Sequence, residues 1–238
     1  MSGRLLRRAA AVAVASQVLP AATWIPGVRI RLAPALAGLG RPGHLALTFD
    51  DGPDAASTPQ FLHALDDLGW RATFFVLGEQ LRRAPGLLRD LSAAGHEIGL
   101  HGDRHRYLLA RTPAAARDDL TRGRDAVGDL LGHPPAWFRP PYGVLSGSGL
   151  LAARRLHLRP VLWSAWGRDW RAEATAASVL DDLTAGVLDG GTALLHDSDV
   201  TSVPGAWRAA LGALPLLAEE AARLGLTVGP LREHGIRF

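Results

Sequence analysis

The stretch that decides the fold is Thr48-Phe49-Asp50-Asp51-Gly52-Pro53. It continues an alternating run that starts at His44, and this run predicts a buried strand that carries two adjacent carboxylates into a Gly-Pro turn. Adjacent carboxylates repel each other, and they are tolerated best where a cation or a shared proton offsets the repulsion. Because Asp, Gly and Pro also favour turns, the stretch alone fits a simple turn equally well. The residues at the ends of the later strands decide between these interpretations.

Short apolar runs alternate with amphipathic stretches along the rest of the chain. This alternation predicts parallel strands joined by right-handed helical crossovers. No glycine-rich dinucleotide fingerprint and no Walker loop follows the first strand, which disfavours a nucleotide-binding sheet. We therefore predict an α/β fold, a closed or nearly closed β/α barrel with about seven strands. The predicted strands are 44–49, 72–77, 97–100, 137–139, 160–164, 192–195 and 226–228, and the predicted helices are 58–68, 85–94, 113–131, 150–156, 178–188 and 207–224.

Composition and charge exclude several kinds of site. The chain has 238 residues and no cysteine, which excludes disulfides and thiolate metal sites. Its net charge of +3 is unevenly distributed, because residues 1–43 hold six arginines and no acid, whereas the remainder holds 20 arginines and 23 acids. No basic stripe interleaved with aromatic residues is present, so we predict no nucleic-acid partner.

The basic N-terminal part precedes an uncharged stretch from Ala9 to Gly27. This order is typical of the positive and apolar regions of a signal sequence, although the apolar part is short for a membrane span. We predict that residues 1–40 are a targeting or membrane-associated segment and that residues 41–238 are the barrel. The protein is then extracytoplasmic, secreted or attached to the membrane through residues 1–30. The alternative is an amphipathic helix that lies on the barrel.

Polar side chains follow five of the predicted strands at the point where each strand ends. In a β/α barrel these points meet at one mouth, the C-terminal face where such enzymes place their chemistry. Structural charges scattered by chance have no reason to choose the same end of five strands. The residues concerned are Asp50 and Asp51 after the first strand, His101 after the third, Arg139 at the end of the fourth, Asp169 after the fifth and His196 after the sixth.

His101 and His105 lie four residues apart, so that on a helical turn both imidazoles face the same way. Two histidines and one carboxylate can bind one metal ion and leave positions open for water and substrate. The same ligand set occurs in non-haem iron oxygenases, but the barrel layout and the lack of a pattern for binding an oxoacid disfavour that interpretation. The other six histidines are interpreted as structural or solvated; they are His44, His63, His96, His133, His157 and His234.

The remaining polar residues at the mouth support acid–base chemistry. Arg139 can bind a carboxylate through two hydrogen bonds and keep it ionised. A carboxylate hydrogen-bonded to His196 fixes its tautomer and raises its pKa, as a general acid requires. Asp197 and Asp199 are read as turn or cap residues. Four aromatic residues near the mouth can stack on sugar faces, and these are Tyr107, Trp163, Trp166 and Trp170, although core packing is the default interpretation for Trp163.

Five motifs in order, over residues 44–228, resemble those of the polysaccharide deacetylases with a NodB-homology domain, carbohydrate esterase family 4. Each motif is weak alone, but five in register are hard to obtain by chance. The resemblance implies a deformed (β/α) barrel of seven or eight strands and a single divalent metal ion, usually zinc, with cobalt, nickel or manganese as alternatives. The motifs are Thr48-Phe49-Asp50-Asp51-Gly52-Pro53, His101-x3-His105, Arg139-Pro140-Pro141-Tyr142-Gly143, Asp169-Trp170 and Leu194-Leu195-His196-Asp197.

The resemblance also implies roles for the residues that match. Asp51, His101 and His105 are the expected metal ligands, Asp50 the expected general base and His196 the expected general acid.

Other matching positions have supporting roles. Arg139 is expected to position the base and Asp169 to tune the acid. The backbone N–H of Tyr142 is expected to bind the oxyanion, and Trp170 and Leu194 to line the pocket for the acetyl methyl group.

Two positions depart from the family pattern. Gly102 stands where the family often has a Ser or Thr that bonds across the metal loop, so this brace is missing. Trp166 stands where the family often has an Asp, which puts the substrate preference in doubt.

The predicted function is removal of N-acetyl groups from amino sugars of a peptidoglycan-like or chitin-like glycan by a metal-dependent hydrolase. Two alternatives use the same scaffold, an O-acetyl esterase of the xylan type and a catalytically silent glycan-binding barrel. The particular glycan and the oligomeric state are left open.

Overall fold

The computed structural model describes residues 3–237, and within them eight strands form a parallel sheet that curls into a deformed barrel. The fold prediction is therefore confirmed. β1 lies at the centre, in the order β5-β4-β3-β2-β1-β7-β6, and β8 pairs with the first half of β1. The strands are β1 (His44–Asp50), β2 (Thr73–Val76), β3 (Glu97–Leu100), β4 (Trp137–Phe138), β5 (Arg159–Pro160), β6 (Ala165–Trp166), β7 (Thr192–His196) and β8 (Thr227–Gly229).

The alternating sequence of β1 sorts its side chains into two layers. All seven residues are buried. Leu45, Leu47 and Phe49 belong to the large apolar cluster that also contains core residues of the helices. Ala46 packs in a separate cluster, and Asp50 lies on the same side of the strand because side chains two residues apart share a face. The strand period thus places Asp50 on the barrel side at the mouth.

Helices surround the sheet, and several begin and end where local sequence signals predict. α6 begins after Thr112, whose hydroxyl accepts a hydrogen bond from the N–H of Ala115, and it ends at Gly132 in a left-handed conformation (φ 78°). The helices are α1 (Gly3–Val18), α2 (Pro26–Leu32), α3 (Thr58–Asp67), α4 (Gly78–Arg83), α5 (Pro85–Ala93), α6 (Pro113–Leu131), α7 (Gly147–Arg155), α8 (Ala176–Thr184) and α9 (Trp207–Arg223), and short 3₁₀ helices occur at Leu19–Trp24, Leu108–Ala110, Pro141–Gly143 and Leu231–Glu233. Sequence analysis missed α4.

The predicted fifth strand, 160–164, is wrong. β5 pairs with β4, β6 pairs with β7, and no strand is assigned between them at 161–164. At the ends of this gap the N–H groups of Val161 and Ser164 still donate to the carbonyls of Phe138 in β4 and Thr192 in β7. Between them, the N–H of Leu162 donates to the carbonyl of Leu36 at 2.7 Å. The apolar run is buried as a strand would be, but its central partner comes from the N-terminal part of the chain, which pattern alone does not reveal.

The N-terminal segment lies against the barrel. Gln17 in α1 donates to the carbonyl of Leu109 at 3.3 Å and accepts from the N–H of Ser148 at 2.9 Å. Across residues 3–237, no single helix is long and apolar enough to cross a membrane, although the bent pair Arg7–Trp24 and Pro26–Leu32, with 101° between its parts, meets the length and composition requirement together. The predicted boundary between 1–40 and 41–238 stays a prediction, and residues 1, 2 and 238 of those ranges lie outside the described residues.

Candidate active site

The predicted site residues meet at the mouth of the barrel, around a cavity of about 330 Å³. One part of its wall is polar and the other is aromatic. The polar residues are Asp50, Asp51, His101, His105, His196 and Thr201, and the aromatic ones are Trp24, Tyr107, Tyr142, Trp163, Trp166 and Trp170. Leu194 also lines it, whereas Arg139 and Asp169 lie behind it, in contact with Asp50 and His196.

Asp51, His101 and His105 present one ligand atom each within 4.8 Å of one another. Oδ1 of Asp51 lies 3.4 Å from Nε2 of His101 and 3.5 Å from Nε2 of His105. This oxygen is buried, and it has no hydrogen-bond partner among residues 3–237. A buried carboxylate oxygen without a partner is costly, and a cation between it and the two ring nitrogens removes that cost. The three residues therefore fit a single metal ion.

The surroundings of the triad fix which atoms face the ion. Nδ1 of His101 donates to the carbonyl of Arg139 at 2.8 Å, which leaves the lone pair of Nε2 toward the site. Burial lowers the pKa of His105 to about 4, so its imidazole is neutral and able to bind a metal. Oδ2 of Asp51 accepts a hydrogen bond of 2.5 Å from the hydroxyl of Thr201, which leaves Oδ1 for the ion.

The Gly-Pro turn after β1 sets the direction of Asp51. Asp51 has a left-handed backbone (φ 77°), and the following residue has to be glycine because a Cβ there would overlap the carboxylate of Asp197. Asp197 is itself buried and accepts from the hydroxyl of Thr58 at 2.6 Å. Burial raises the pKa of Asp197 to about 7. Asp197 therefore packs against the Gly-Pro turn that follows Asp51. Its interpretation as a turn or cap residue did not include this role.

Asp50 is held by a fully buried arginine. Nη1 of Arg139 donates to Oδ1 of Asp50 and to the hydroxyl of Thr48, both at 2.8 Å, and Nη2 donates to the carbonyl of Leu162 at 2.8 Å. The predicted two-bond clamp is wrong, because the guanidinium divides its donors among three partners. As a consequence Oδ2 of Asp50 receives no bond from Arg139, and it lies 3.7 Å from Nε2 of His101, beside the triad.

His196 pairs with Asp169 on the other side of the cavity. Oδ1 of Asp169 accepts from Nδ1 of His196 at 2.9 Å, and Oδ2 accepts from the backbone N–H of the same residue at 2.7 Å. Burial lowers the pKa of His196, but the charge and hydrogen bond of Asp169 outweigh it, with help from Asp51 and Asp50, and raise this pKa to about 10. β1 and β7 pair in a register that sets Asp50 opposite His196. A carboxylate and a protonated imidazole therefore face one metal-binding triad.

The family model for polysaccharide deacetylases matches residues 38–161, just over half of the chain. The chain belongs to the polysaccharide deacetylase family. It is 34% identical over 158 residues to the peptidoglycan-N-acetylglucosamine deacetylase PgdA of Listeria monocytogenes, a match covering 66% of this chain but only 33% of that protein. It is 34% identical over 152 residues to a chitooligosaccharide deacetylase of Bradyrhizobium, covering 63% of this chain and 69% of the relative.

The fold agrees with a solved structure of the same family. The Bc1960 peptidoglycan N-acetylglucosamine deacetylase superposes with a TM-score of 0.77 at 26% identity, covering 87% of this chain and 97% of that one. The resemblance drawn from the five motifs is thereby confirmed.

The residues expected to contact the substrate line the aromatic part of the cavity. Tyr142 has a left-handed backbone (φ 60°), and its ring stacks on Tyr107 at 3.8 Å and lies 4.3 Å from the ring of His105. Trp166 stands at the position where the family often has an acid, and the centre of its ring lies 6.2 Å from that of Trp170. The exchange thus extends the aromatic surface instead of adding a charge.

The loop that carries His101 and His105 is stabilised without the hydroxyl that the family often has at position 102. Gly102 has φ 99°, a conformation that favours glycine. The N–H of Asp103 donates to the carboxylate of Asp119 at 3.1 Å. The carboxylate of Asp103 accepts from Arg82 at 2.7 Å and from Arg122 at 3.2 Å. Sequence reasoning missed this network and also Thr201 and Trp24. The acid between the two histidines of His101-Gly102-Asp103-Arg104-His105 was the available signal for the network.

Proposed function

We propose that this protein hydrolyses the N-acetyl group of amino sugars in a peptidoglycan-like or chitin-like glycan, with one divalent metal ion. The observation that carries the proposal is the arrangement of a carboxylate and an acidic imidazole around a triad whose buried oxygen lacks a partner. The relatives named as deacetylases of peptidoglycan N-acetylglucosamine and of chitooligosaccharide support this class of substrate.

The proposed metal is zinc, since two imidazoles and one carboxylate suit zinc and leave a position open. Asp51 would hold it through Oδ1, and His101 and His105 through Nε2. A zinc ion bound there supplies Lewis-acid chemistry, which lowers the pKa of a bound water and polarises a carbonyl group.

Asp50 is the proposed general base. Its Oδ1 accepts a hydrogen bond from Arg139, and its Oδ2 lies beside the triad without a bond from that arginine. As the water oxygen forms a bond to the acetamide carbon, Asp50 accepts the proton that the water releases. The backbone N–H of Tyr142 is proposed to donate to the resulting oxyanion, a type of contact that is typically worth a few kcal/mol.

His196 is the proposed general acid. The bond between the carbonyl carbon and the sugar nitrogen breaks as His196 transfers its proton to that nitrogen, so the amine leaves neutral and acetate is the other product. Asp169 holds Nδ1, which directs Nε2 toward the cavity. Without this proton an amine anion would have to leave, which is far less favourable.

The experiment that tests the function is acetate release by the zinc-loaded protein from a panel of polymers. We expect release from peptidoglycan or from N-acetylglucosamine oligomers that exceeds release from acetylated xylan. Higher release from acetylated xylan would favour the O-acetyl esterase. If the protein binds glycan but releases no acetate and holds no stoichiometric metal, the silent glycan-binding barrel is favoured and the proposal is overturned.

We also propose an extracytoplasmic location at an anionic membrane surface. The exposed part of α1 and the residue after it combine arginines with apolar side chains, a combination that favours binding at a lipid interface. We expect the protein to sediment with vesicles containing phosphatidylglycerol and not with neutral vesicles, and sedimentation with neither would contradict the membrane attachment. The exposed residues are Arg4, Arg7, Arg8, Val12, Val14 and Leu19.

A further inference from the structure

One wall of the cavity comes from outside the part of the chain that carries the family motifs. Trp24 ends the 3₁₀ helix Leu19–Trp24 and lines the same cavity as the proposed base, acid and metal ligands. It precedes residue 38, where the match to the family model begins. Its side chain is 48% exposed, which places it at the rim of the cavity and not in the core.

Arg29 holds Trp24 in place. Its Nη1 donates to the carbonyl of Trp24 at 2.7 Å, and its Nε donates to the carbonyl of Trp163 at 2.9 Å. The guanidinium lies 5.1 Å over the ring of Trp163 and is only 2% exposed. One buried side chain therefore joins the carbonyls of two tryptophans that line the cavity.

Burying the guanidinium of Arg29 costs desolvation free energy, which indicates that its contacts with the two tryptophans are a specific feature of the structure. Within residues 3–237 no carboxylate pairs with Arg29. Burial and the charge of Arg139 lower the pKa of Arg29 to about 10. A charge that is buried against carbonyls and an indole ring persists only where these contacts compensate for its desolvation. A second contact supports the segment, since a Cβ on Gly147 would overlap the carbonyl of Ser16.

We propose that Trp24 is a substrate-binding residue that stacks on the pyranose ring next to the one whose acetamide is cleaved. The proposal rests on the proposed function. Pyranose rings present apolar C–H faces, and a half-exposed indole offers a flat surface of matching size. Leu194 lines the buried part of the cavity, whereas Trp24 is half-exposed, so the rim beside Trp24 is the place where the glycan chain continues beyond the reacting sugar. The segment 19–32 is thereby part of the glycan cleft.

The experiment measures binding of N-acetylglucosamine tetramer by calorimetry to the zinc-loaded, full-length Asp50→Asn protein, which does not consume the ligand. We expect Trp24→Ala in this background to raise the Kd about tenfold, and Trp24→Phe to restore most of the affinity. Ile25→Ala is the matched control, because Ile25 is 53% exposed in the same segment and does not line the cavity. We expect its Kd to stay within twofold of the parent.

A second variant tests the anchor. If Arg29 acts by positioning Trp24, Arg29→Gln raises the Kd, and the double variant Arg29→Gln/Trp24→Ala binds no more weakly than Trp24→Ala alone. A Trp24→Ala Kd within twofold of the parent overturns the proposal whatever Arg29→Gln does, and so does a parent that binds no tetramer. Failure of the proposed function has a different signature, namely tetramer binding without acetate release by the unmutated protein.

Discussion

The two ends of the barrel use the same residue type for opposite purposes. At the open end, His101, His105 and His196 surround the cavity. At the opposite end, where the strands begin and which is called the closed end below, His44 begins β1. Its Nδ1 lies 2.8 Å from Nδ1 of His234. The pKa of His196 is raised to about 10, whereas burial lowers the pKa values of His44 and His234 to about 4.

Burial lowers the pKa of His196, His44 and His234 alike, and the difference lies in their neighbours. His196 faces the carboxylate of Asp169, which compensates a positive charge. His44 and His234 face each other, and Arg41 adds a further positive charge, so protonation is disfavoured. His196 thus has a carboxylate as its hydrogen-bond partner, whereas the partner of His44 is a second imidazole. A histidine is therefore chemical or structural according to whether an acid stands beside it.

The largest effect is expected from removing the acid at the metal triad. Asp51→Ala deletes the unpartnered oxygen that two imidazoles face, and without it two neutral rings hold a divalent ion weakly. We expect stoichiometric zinc binding to be lost and acetate release to fall to background, measured by elemental analysis and by an acetate assay. Asp67→Ala, an exposed acid of α3, should retain both. Full zinc occupancy in Asp51→Ala would refute the ligand assignment.

The next effect separates metal binding from proton transfer. In Asp50→Asn the amide oxygen can still accept from Arg139, so the local structure is preserved while the basic oxygen is lost. We expect zinc affinity within a few fold of the unmutated protein and a decrease in kcat of about 10²–10⁴-fold. Calorimetry with zinc and steady-state kinetics check both parts. Near-normal turnover would show that Asp50 is not the base.

A smaller and more selective effect is expected at His196. His196→Ala removes the proton donor, which matters for an amine leaving group and hardly for 4-nitrophenolate. We expect kcat/KM for N-acetylglucosamine tetramer to fall about 10²-fold more than kcat/KM for 4-nitrophenyl acetate. An equal decrease for the two substrates would indicate that His196 binds or orients the substrate without donating the proton.

The strand ends made the open end predictable. Asp50, His101, Arg139 and His196 each lie at or next to a strand end, and parallel strands bring such positions together whatever the details of the barrel. The number of hydrogen bonds from Arg139 to Asp50 was not predictable, because it depends on Thr48 and the carbonyl of Leu162 as competing acceptors.

Cavity residues that lie outside the strands and the longer helices were missed for a physical reason. Thr201 and Trp24 have no periodic neighbours that fix their direction, and only tertiary contacts bring them to the cavity. The run 160–164 was read as a strand because burial gives the same apolar pattern whether or not the backbone pairs with a neighbouring strand. Its bond to Leu36 is a contact across more than a hundred residues.

The smallest effect is expected at the closed end, as a dependence of stability on pH. Nε2 of His234 donates to the carbonyl of Gly38 at 3.0 Å, so its Nδ1 is the acceptor and His44 is the donor of their shared bond. A second proton would place two N–H groups against each other. Because both pKa values are lowered in the folded protein, the unfolded chain binds more protons between pH 6.5 and about 4, and stability falls as the pH falls through that range.

His44→Gln tests this dependence, since the amide can still donate to His234 but does not titrate. We expect the loss in free energy of unfolding between pH 7 and pH 5 to be smaller in this variant by about 1–2 kcal/mol, measured by urea denaturation. His133→Gln, which removes an exposed histidine, should leave the loss unchanged. If His44→Gln loses as much stability on acidification as the unmutated protein, the pair is protonated in the folded state and the contrast between the two ends of the barrel does not hold.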